Sequence, residues 1–458
     1  MNLDKTAFRT YDIRGIVGKA LTEETVFYIG KAFGSLVRDL GENHMVIARD
    51  GRISSPILIK SLASGIQSTG CNVVDIGMVP TPVLYYATHF LKEHSGVMLT
   101  GSHNPPEYNG LKSVIQGKTL SEQGIKDLYQ RIIEKRFHEG EGSYQALNVE
   151  SHYIEDIVSK IKLNRRLKVV IDAGNGATGQ IAPKLFRALD CDVHEIFCEV
   201  DGNFPNHHPD PTQEENLQDL IRVVKEKNAD IGLAFDGDGD RVGIVTNRGS
   251  IISSDRLLML FSKALLADHP GSSIIFDVKC TNNLSALIHS LGGNPIMWKT
   301  GHSLIKAKMQ ETNALLAGEM SGHLFFKDRW YGFDDGLYAG ARLLEILAGE
   351  TQDCETIFAG IPNSVITPEL RVAVKEEEKF QLMQKLIDHA AFDQAKEVNT
   401  IDGLRVSFDQ GWGLVRPSNT TPYLILRFEA MNEAVLQEIQ ELFREWMLSV
   451  RADLDLPF

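Results

Sequence analysis

The chain is poor in what would tie it to a secreted scaffold, a membrane or a nucleic acid. Its 458 residues include 5 cysteines, Cys71, Cys191, Cys198, Cys280 and Cys354, an odd number with no C-x-x-C pair. That excludes a disulfide framework or a zinc ribbon and leaves the cysteines as small buried hydrophobes. No apolar run reaches the roughly 18 residues a membrane span needs. Even "RLLMLFSKALLAD" is broken by Ser262 and Lys263. The first residues, "MNLDKTAFRTYDIRG", carry acidic groups and no apolar core, so they do not read as a secretory signal. A cytosolic (cytoplasmic) protein with no membrane partner is expected. Positive charge is also scarce, with 47 Lys and Arg against 61 Asp and Glu, for a net charge of -14. Nucleic acid, held through its phosphate backbone, is therefore not the expected partner. A phosphorylated small molecule still fits if Arg and Lys gather in one cleft, because a cleft can differ in sign from the whole.

What is present is the balance of a soluble globular protein, 43% hydrophobic and 24% charged, which argues against disorder. The length calls for two to four domains. Short β-branched runs, "HMVIARD", "NVVDIG" and "GVMLTG", alternate with helical patterns such as "PILIKSLASGIQSTG". That is α/β order with mostly parallel strands. The alternation restarts at "LKVVIDAGNGATG", where a buried strand runs into a glycine-rich turn and a helix, and again at "SIIFDVK". Polar stretches near 138–152 and 247–255, and "AGIPNSV" at 359–365, mark the joints. The last ninety or so residues differ: "GLRVSFDQGWGLVRPSNTTPYLILRFEA" reads as antiparallel strands between two helical segments, a small α+β domain. The fold class is α/β, three successive α/β units and a C-terminal α+β domain, over 1–148, 149–250, 251–362 and 363–458.

Four loops carry chemistry-bearing residues. In "IGLAFDGDGDRVGIVT" an apolar run ends at Asp236, and Asp236, Asp238 and Asp240 alternate with glycines before a second strand starts at Arg241. In extended chain alternate side chains share a face, so the three carboxylates converge and need a cation. An oxygen-only set with no His or Cys beside it points to magnesium before calcium. An EF-hand fails, since Arg241 stands where its glycine belongs and Asn247 where its glutamate does. In "LTGSHNPPEYNGLK" a strand delivers Ser102 into a loop stiffened by Pro105 and Pro106. There is no G-x-S-x-G, and "IQGKTL" is no P-loop because Lys112 occupies the first glycine position. Alone, Ser102 reads as a turn residue. Beside a magnesium loop it becomes a candidate phosphoserine.

The third loop, "AGEMSGH", offers Glu319 and Ser321 to sugar hydroxyls, with an ordinary polar turn as the alternative. The fourth, "VRPSNTTP", gathers Arg416, Ser418, Asn419, Thr420 and Thr421 in one turn, a nest suited to a phosphate dianion.

Together "TGSHNPP", "DGDGDR", "GEMSGH" and "RPSNTTP" resemble the four signatures of the α-D-phosphohexomutase superfamily, in its bacterial phosphomannomutase/phosphoglucomutase branch. "FRTYDIRG", "VPTPVLYYA" and "FPNHHPDPT" are similar to it too, and the match spans essentially the whole chain. The resemblance implies mixed sheets in a four-domain, heart-shaped monomer around a central cleft. It implies a phosphorylated Ser102, one magnesium ion held by Asp236, Asp238, Asp240 and a phosphoserine oxygen, and phosphosugars as partners. Glu319 and Ser321 would grip the sugar's 3- and 4-hydroxyls, and Arg416, Ser418, Asn419 and Thr420 the phosphate not in transfer. Tyr11, Arg14, His103, Lys112, Arg241, Lys279, His302 and His323 would line the cleft. The reaction implied is exchange of hexose 1-phosphate and 6-phosphate, for glucose and mannose, through a 1,6-bisphosphate that turns over between transfers, with glucose 1,6-bisphosphate as activator. Arg14 and Arg241 would supply charge. Lys112 and His302 are candidates for general acid and base, with structural or phosphate-binding roles as the alternative. A non-catalytic phosphosugar-binding protein is disfavoured by the intact Ser102 and Asp triad. Phosphoglucosamine mutase is disfavoured by Asn419-Thr420-Thr421, where it typically carries Gly-Thr-Glu.

Overall fold

The runs rich in β-branched residues form the central parallel strands of the computed structural model, which describes residues 3–418 and 421–458. His44–Arg49 lies between Asn72–Met78 and Gly96–Leu99 and runs parallel to both. Met45 to Ala48 and Val97 to Leu99 are buried, as a parallel strand covered on both faces requires. Helices Glu23–Asp39 and Ser55–Gln67 pack beside them, the first opened by Thr22, whose side chain accepts from Thr25 N. After Gly96–Leu99 the chain turns back as Tyr108–Ile115, antiparallel to it, and Ile13–Ile16 pairs antiparallel on the far side. This returning strand was not foreseen, because "YNGLKSVI" alternates too weakly for its burial. It makes the Ser102 loop the tip of a hairpin.

A second mixed sheet repeats the device. Its strands run in the order Ile251–Ile252, Val242–Thr246, Ile231–Phe235, Lys168–Asp172, Asp192–Ile196. Ile231–Phe235 is parallel to Lys168–Asp172 and antiparallel to Val242–Thr246, so the Asp236–Asp240 loop is also a hairpin tip after a parallel strand.

The chain divides into two compact units. The first, residues 1–254, 309–311 and 321–360, holds both sheets above. The second, 255–308, 312–320 and 361–458, contains Ser273–Asp277 parallel to Asn294–Trp298 and Leu316–Gly318. It also contains the expected antiparallel C-terminal sheet, in which Tyr423–Ala430 pairs with Gly411–Pro417, Leu370–Ala373 and Val365–Ile366. Helix Glu433–Val450 buries Leu436, Ile439, Phe443, Trp446 and Met447, a stripe at helical spacing. All five cysteines are free thiols, four of them buried and Cys198 half-buried. Among the described residues no helix is long and apolar enough to cross a membrane.

Candidate active site

Ser102 takes a left-handed backbone conformation, φ 49°, which a serine adopts only when its surroundings hold it there. Its N–H donates to Thr100 Oγ1 at 2.8 Å. Its carbonyl accepts from Arg52 Nη2 at 2.7 Å. Ser102 is buried, and Oγ lies 3.0 Å from Asp236 Oδ2 and 3.1 Å from His103 Nδ1. Burial, then the neighbouring charges of Arg241, Arg14 and Lys112, push the His103 pKa well below the ordinary value.

Asp236, Asp238 and Asp240 are fully buried and converge, with ligand oxygens all within 4.8 Å of one another. The sequence expectation of convergence holds, but not its reason. The loop is no extended segment: it folds over at Gly239, φ 74°, whose N–H donates to Asp236 O at 3.2 Å and to Asp236 Oδ1 at 3.0 Å. A tight turn, and not alternation, aims the carboxylates inward.

Two cations face these three anions. Lys112 Nζ lies 2.7 Å from Asp238 Oδ2 and also bonds Asp240 Oδ2. Arg241 Nε stands 3.9 Å from Asp236 Oδ2. Burial and the two neighbouring carboxylates push the Asp236 pKa well up. Burial also opposes the charge of Asp240, but Lys112, His323 and Arg241 outweigh it and hold that carboxyl well below its usual range. Burial likewise works against the Lys112 ammonium, and Asp238 and Asp240 outweigh it, so its pKa rises. Among the described residues Asp238 Oδ1 has no hydrogen-bond partner, and the nearest cationic neighbour given for Asp240 Oδ1 is His323 Nε2, 3.3 Å away. Buried carboxylate oxygens left unmet in an oxygen-only set fit a hard divalent cation.

Around this cluster Arg14 bonds Asn104 Oδ1 and reaches Asp12 Oδ2 at 2.5 Å. Tyr11 sits half-buried in the bend before Ile13–Ile16. Arg241 Nε donates to His323 Nε2 at 3.2 Å, and Ser321 Oγ lies 2.9 Å from His323 Nδ1. Ser102, His103, Arg14, Lys112, Arg241, Ser321 and His323 thus all belong to the first unit.

In the second unit the expected residues follow the C-terminal ends of three parallel strands, where open α/β sheets bind ligands. Lys279 follows Ser273–Asp277, His302 follows Asn294–Trp298 at the start of helix His302–Thr312, and Glu319 follows Leu316–Gly318. Glu319 is buried and Oε1 accepts from Gly301 N at 2.5 Å. Lys279 Nζ lies 3.4 Å from Glu369 Oε2. Arg416 is not in a turn: it lies within strand Gly411–Pro417, its Nε donating to Asp402 Oδ2 at 3.0 Å. Ser418 follows that strand, and its Oγ accepts from Thr421 N at 3.1 Å. Asn419 and Thr420 lie outside the described residues.

Models of the phosphoglucomutase/phosphomannomutase α/β/α domains I, II and III match residues 5–139, 151–249 and 253–364, and that of the C-terminal domain matches 369–445. The chain belongs to the phosphoglucomutase/phosphomannomutase family. It is 55% identical to a Pseudomonas putida phosphomannomutase/phosphoglucomutase over 456 residues, which is all of this chain and 98% of that protein. To a Neisseria gonorrhoeae phosphoglucomutase it is 49% identical, over 97% of each chain. A Burkholderia thailandensis phosphoglucomutase/phosphomannomutase family structure superposes with a TM-score of 0.96, at 52% identity, over the whole of both chains. As a member of this family the chain is an enzyme, an isomerase of the phosphohexomutase type.

Sequence reading passed over several residues that shape this phosphohexomutase's site. Asp50 and Arg52 grip the Ser102 loop. Thr81 Oγ1 donates to Asp238 Oδ2 at 2.5 Å. Asp402 and Glu369 pair with Arg416 and Lys279. "RDGR", an acid and an arginine directly after a buried strand, was the one available signal for the first pair. The others are contacts between distant segments that no local pattern announces.

Proposed function

We propose that this chain interconverts the 1- and 6-phosphates of glucose and mannose, working as a monomer in the cytosol, with Ser102 as the phosphate carrier. We assign one loop to each of four parts, 1–148, 149–250, 251–362 and 363–458. The observation that carries this reading is Ser102 Oγ, buried at 3.0 Å from Asp236 Oδ2 in a cluster whose carboxylate oxygens are incompletely satisfied. Asp236, Asp238 and Asp240, together with a Ser102 phosphate oxygen, would hold magnesium. When bound, that ion neutralises charge on the phosphoryl group in transfer.

In the first half-reaction the Ser102 Oγ–P bond breaks as a bond forms from phosphorus to the sugar's free 1- or 6-hydroxyl oxygen. The hydroxyl proton passes to a base, and the serine oxygen is left to be phosphorylated again. The resulting hexose 1,6-bisphosphate turns over, and the second half-reaction returns its other phosphate to Ser102. Glucose 1,6-bisphosphate supplied from outside recharges a serine that has lost its phosphate. Arg14 and Arg241 stabilise charge on the transferring group. Lys112, held as an ammonium between two carboxylates, suits charge stabilisation better than proton abstraction, which leaves His302 as the candidate base. Glu319 and Ser321 bind sugar hydroxyls. Arg416, Ser418, Asn419 and Thr420 hold the phosphate not in transfer, and Tyr11, Lys279, His103 and His323 contact the substrate.

A coupled assay with glucose 1-phosphate, mannose 1-phosphate and glucosamine 1-phosphate tests the proposal, run with and without magnesium and glucose 1,6-bisphosphate. Turnover of the first two is expected. Selective use of the third would assign the chain to the sister activity instead.

A further inference from the structure

We propose that Arg52 is a positioning residue for phosphoryl transfer at Ser102, acting with Asp50 and Phe204 as a clamp on the serine loop. The role in transfer rests on the mutase reading above; the clamp itself does not. Arg52 is buried, and all five of its guanidinium N–H donors have acceptors. Nη2 donates to Ser102 O at 2.7 Å and Asn104 O at 2.6 Å. Nη1 donates to Pro105 O at 2.6 Å and Tyr108 O at 3.1 Å. Nε donates to Asp50 Oδ2 at 3.2 Å. Three carbonyls of the loop and that of Tyr108, where the returning strand begins, are therefore tied to a single rigid fork, and no N–H is left over for a substrate phosphate.

Asp50 secures the fork from the other side. Its Oδ2 also accepts from Thr100 Oγ1 at 2.9 Å and Gly101 N at 3.0 Å, and its Oδ1 from Ser55 Oγ at 2.7 Å and Arg52 N at 3.1 Å. Gly101 crosses the guanidinium so closely that a Cβ there would collide with Arg52 Nε and Cζ. The Phe204 ring lies over the same group, 5.1 Å from Cζ. This gives a purpose to the first residue of "FPNHHPDPT", a segment the catalytic assignment leaves idle.

The clamp explains how a serine persists at φ 49°. The two prolines of the loop cannot do this, since they fix their own φ and not that of Ser102. A lysine has no planar fork and can satisfy at most three of these acceptors. With the clamp loosened the Oγ is no longer held in line, and misplacement of a reacting atom by about 1 Å costs roughly a hundredfold in rate.

Arg52→Lys is the test. Its kcat should fall about 100-fold with the KM for glucose 1-phosphate within about twofold. Single-turnover transfer from phosphorylated Ser102 should slow by the same factor. Amide hydrogen exchange over 101–108 should quicken about tenfold while that over 231–246 stays unchanged. A kcat within about threefold of the parent, a loss matched by the unfolded fraction, or unchanged exchange over 101–108 overturns the proposal. If Arg52→Lys does not fold, the near-isosteric Asp50→Asn takes its place, with about a tenfold loss and the same split expected. The parent's own turnover decides the mutase reading. Exchange over 101–108 decides the clamp whichever way that falls.

Discussion

In the first unit three buried carboxylates face two cations, whereas in the second the cations proposed to meet the substrate, Arg416 and Lys279, already have carboxylate partners. Asp236, Asp238 and Asp240 face Lys112 and Arg241, with oxygens of Asp238 and Asp240 incompletely satisfied. Arg416 rests on Asp402, and Lys279 on Glu369, whose pKa Lys279 holds below the usual value. An excess of buried negative charge is costly unless a cation completes it. A buried arginine paired with a carboxylate is content until a stronger acceptor arrives, and a phosphate dianion is one. On the proposed function the first region is suited to be completed by a cation, and the second to exchange partners. On the same proposal the first carries the transfer, and the second contributes Arg416, Lys279 and Glu319 to holding the acceptor.

The largest effect expected is at Ser102. Ser102→Ala should lower turnover by roughly 10³-fold or more, the scale on which loss of a covalent carrier is felt. Intact-mass spectrometry of the parent should show a fraction heavier by one phosphoryl group, located on Ser102 and missing from the variant. A variant that turned over near normally would remove the carrier from the mechanism.

Next comes the charge imbalance itself. Asp238→Asn keeps the acceptors for Thr81 and Lys112 while lowering the cluster from three carboxylates to two against two cations. Magnesium-dependent turnover should fall by roughly 10² or more. The melting temperature in chelator should hold or rise, since repulsion among the carboxylates is relieved. Collapse of stability with activity retained would mean that the loop is only structural.

In the second unit the effect should be smaller and of another kind. Arg416→Ala removes the cationic partner of Asp402, which keeps Thr300 N, and on the proposed function it removes the fork for the substrate phosphate. A loss of roughly tenfold to a hundredfold in kcat/KM is expected, shared between KM and kcat, because a part that closes on a phosphate does so only when it has one to grip. Steady-state kinetics unchanged by this substitution would break the comparison on that side.

How much of this was legible follows the range of the interactions. The parallel strands, the C-terminal antiparallel sheet and the four loops could be read because buried runs and glycine-flanked polar residues are local signals. The convergence of the Asp triad was legible and its geometry was not: spacing of two says alternation, and only Gly239 at φ 74° reveals a turn. Arg416 was a phosphate-ligand candidate placed in a loop: backbone pairing with Ile425 sets it in its strand, and its side-chain partner Asp402 lies 14 residues away with no pattern linking them. Arg52 was invisible as a clamp, its targets standing 50 to 56 positions further along.

The smallest effect expected concerns the sugar, and it follows from the order of events proposed for the site. A bisphosphate that turns over must be accepted in two opposite orientations, so Glu319 and Ser321 can usefully read only what survives the flip. The equatorial 3- and 4-hydroxyls nearly exchange places when the ring turns. The 2-hydroxyl, where glucose and mannose differ, does not return to the same point and should go unread. Glucose 1-phosphate and mannose 1-phosphate should therefore show kcat/KM values within about tenfold of each other, a difference of no more than about 1.4 kcal/mol. Galactose 1-phosphate, with its 4-hydroxyl inverted, should be used far less well, since it leaves a buried polar group unpaired. Competition between the sugars in one assay measures both ratios directly. A thousandfold preference for glucose over mannose, which needs about 4 kcal/mol, would mean that some residue reads the 2-position and that the sugar is selected by more than Glu319 and Ser321 reading what survives the flip.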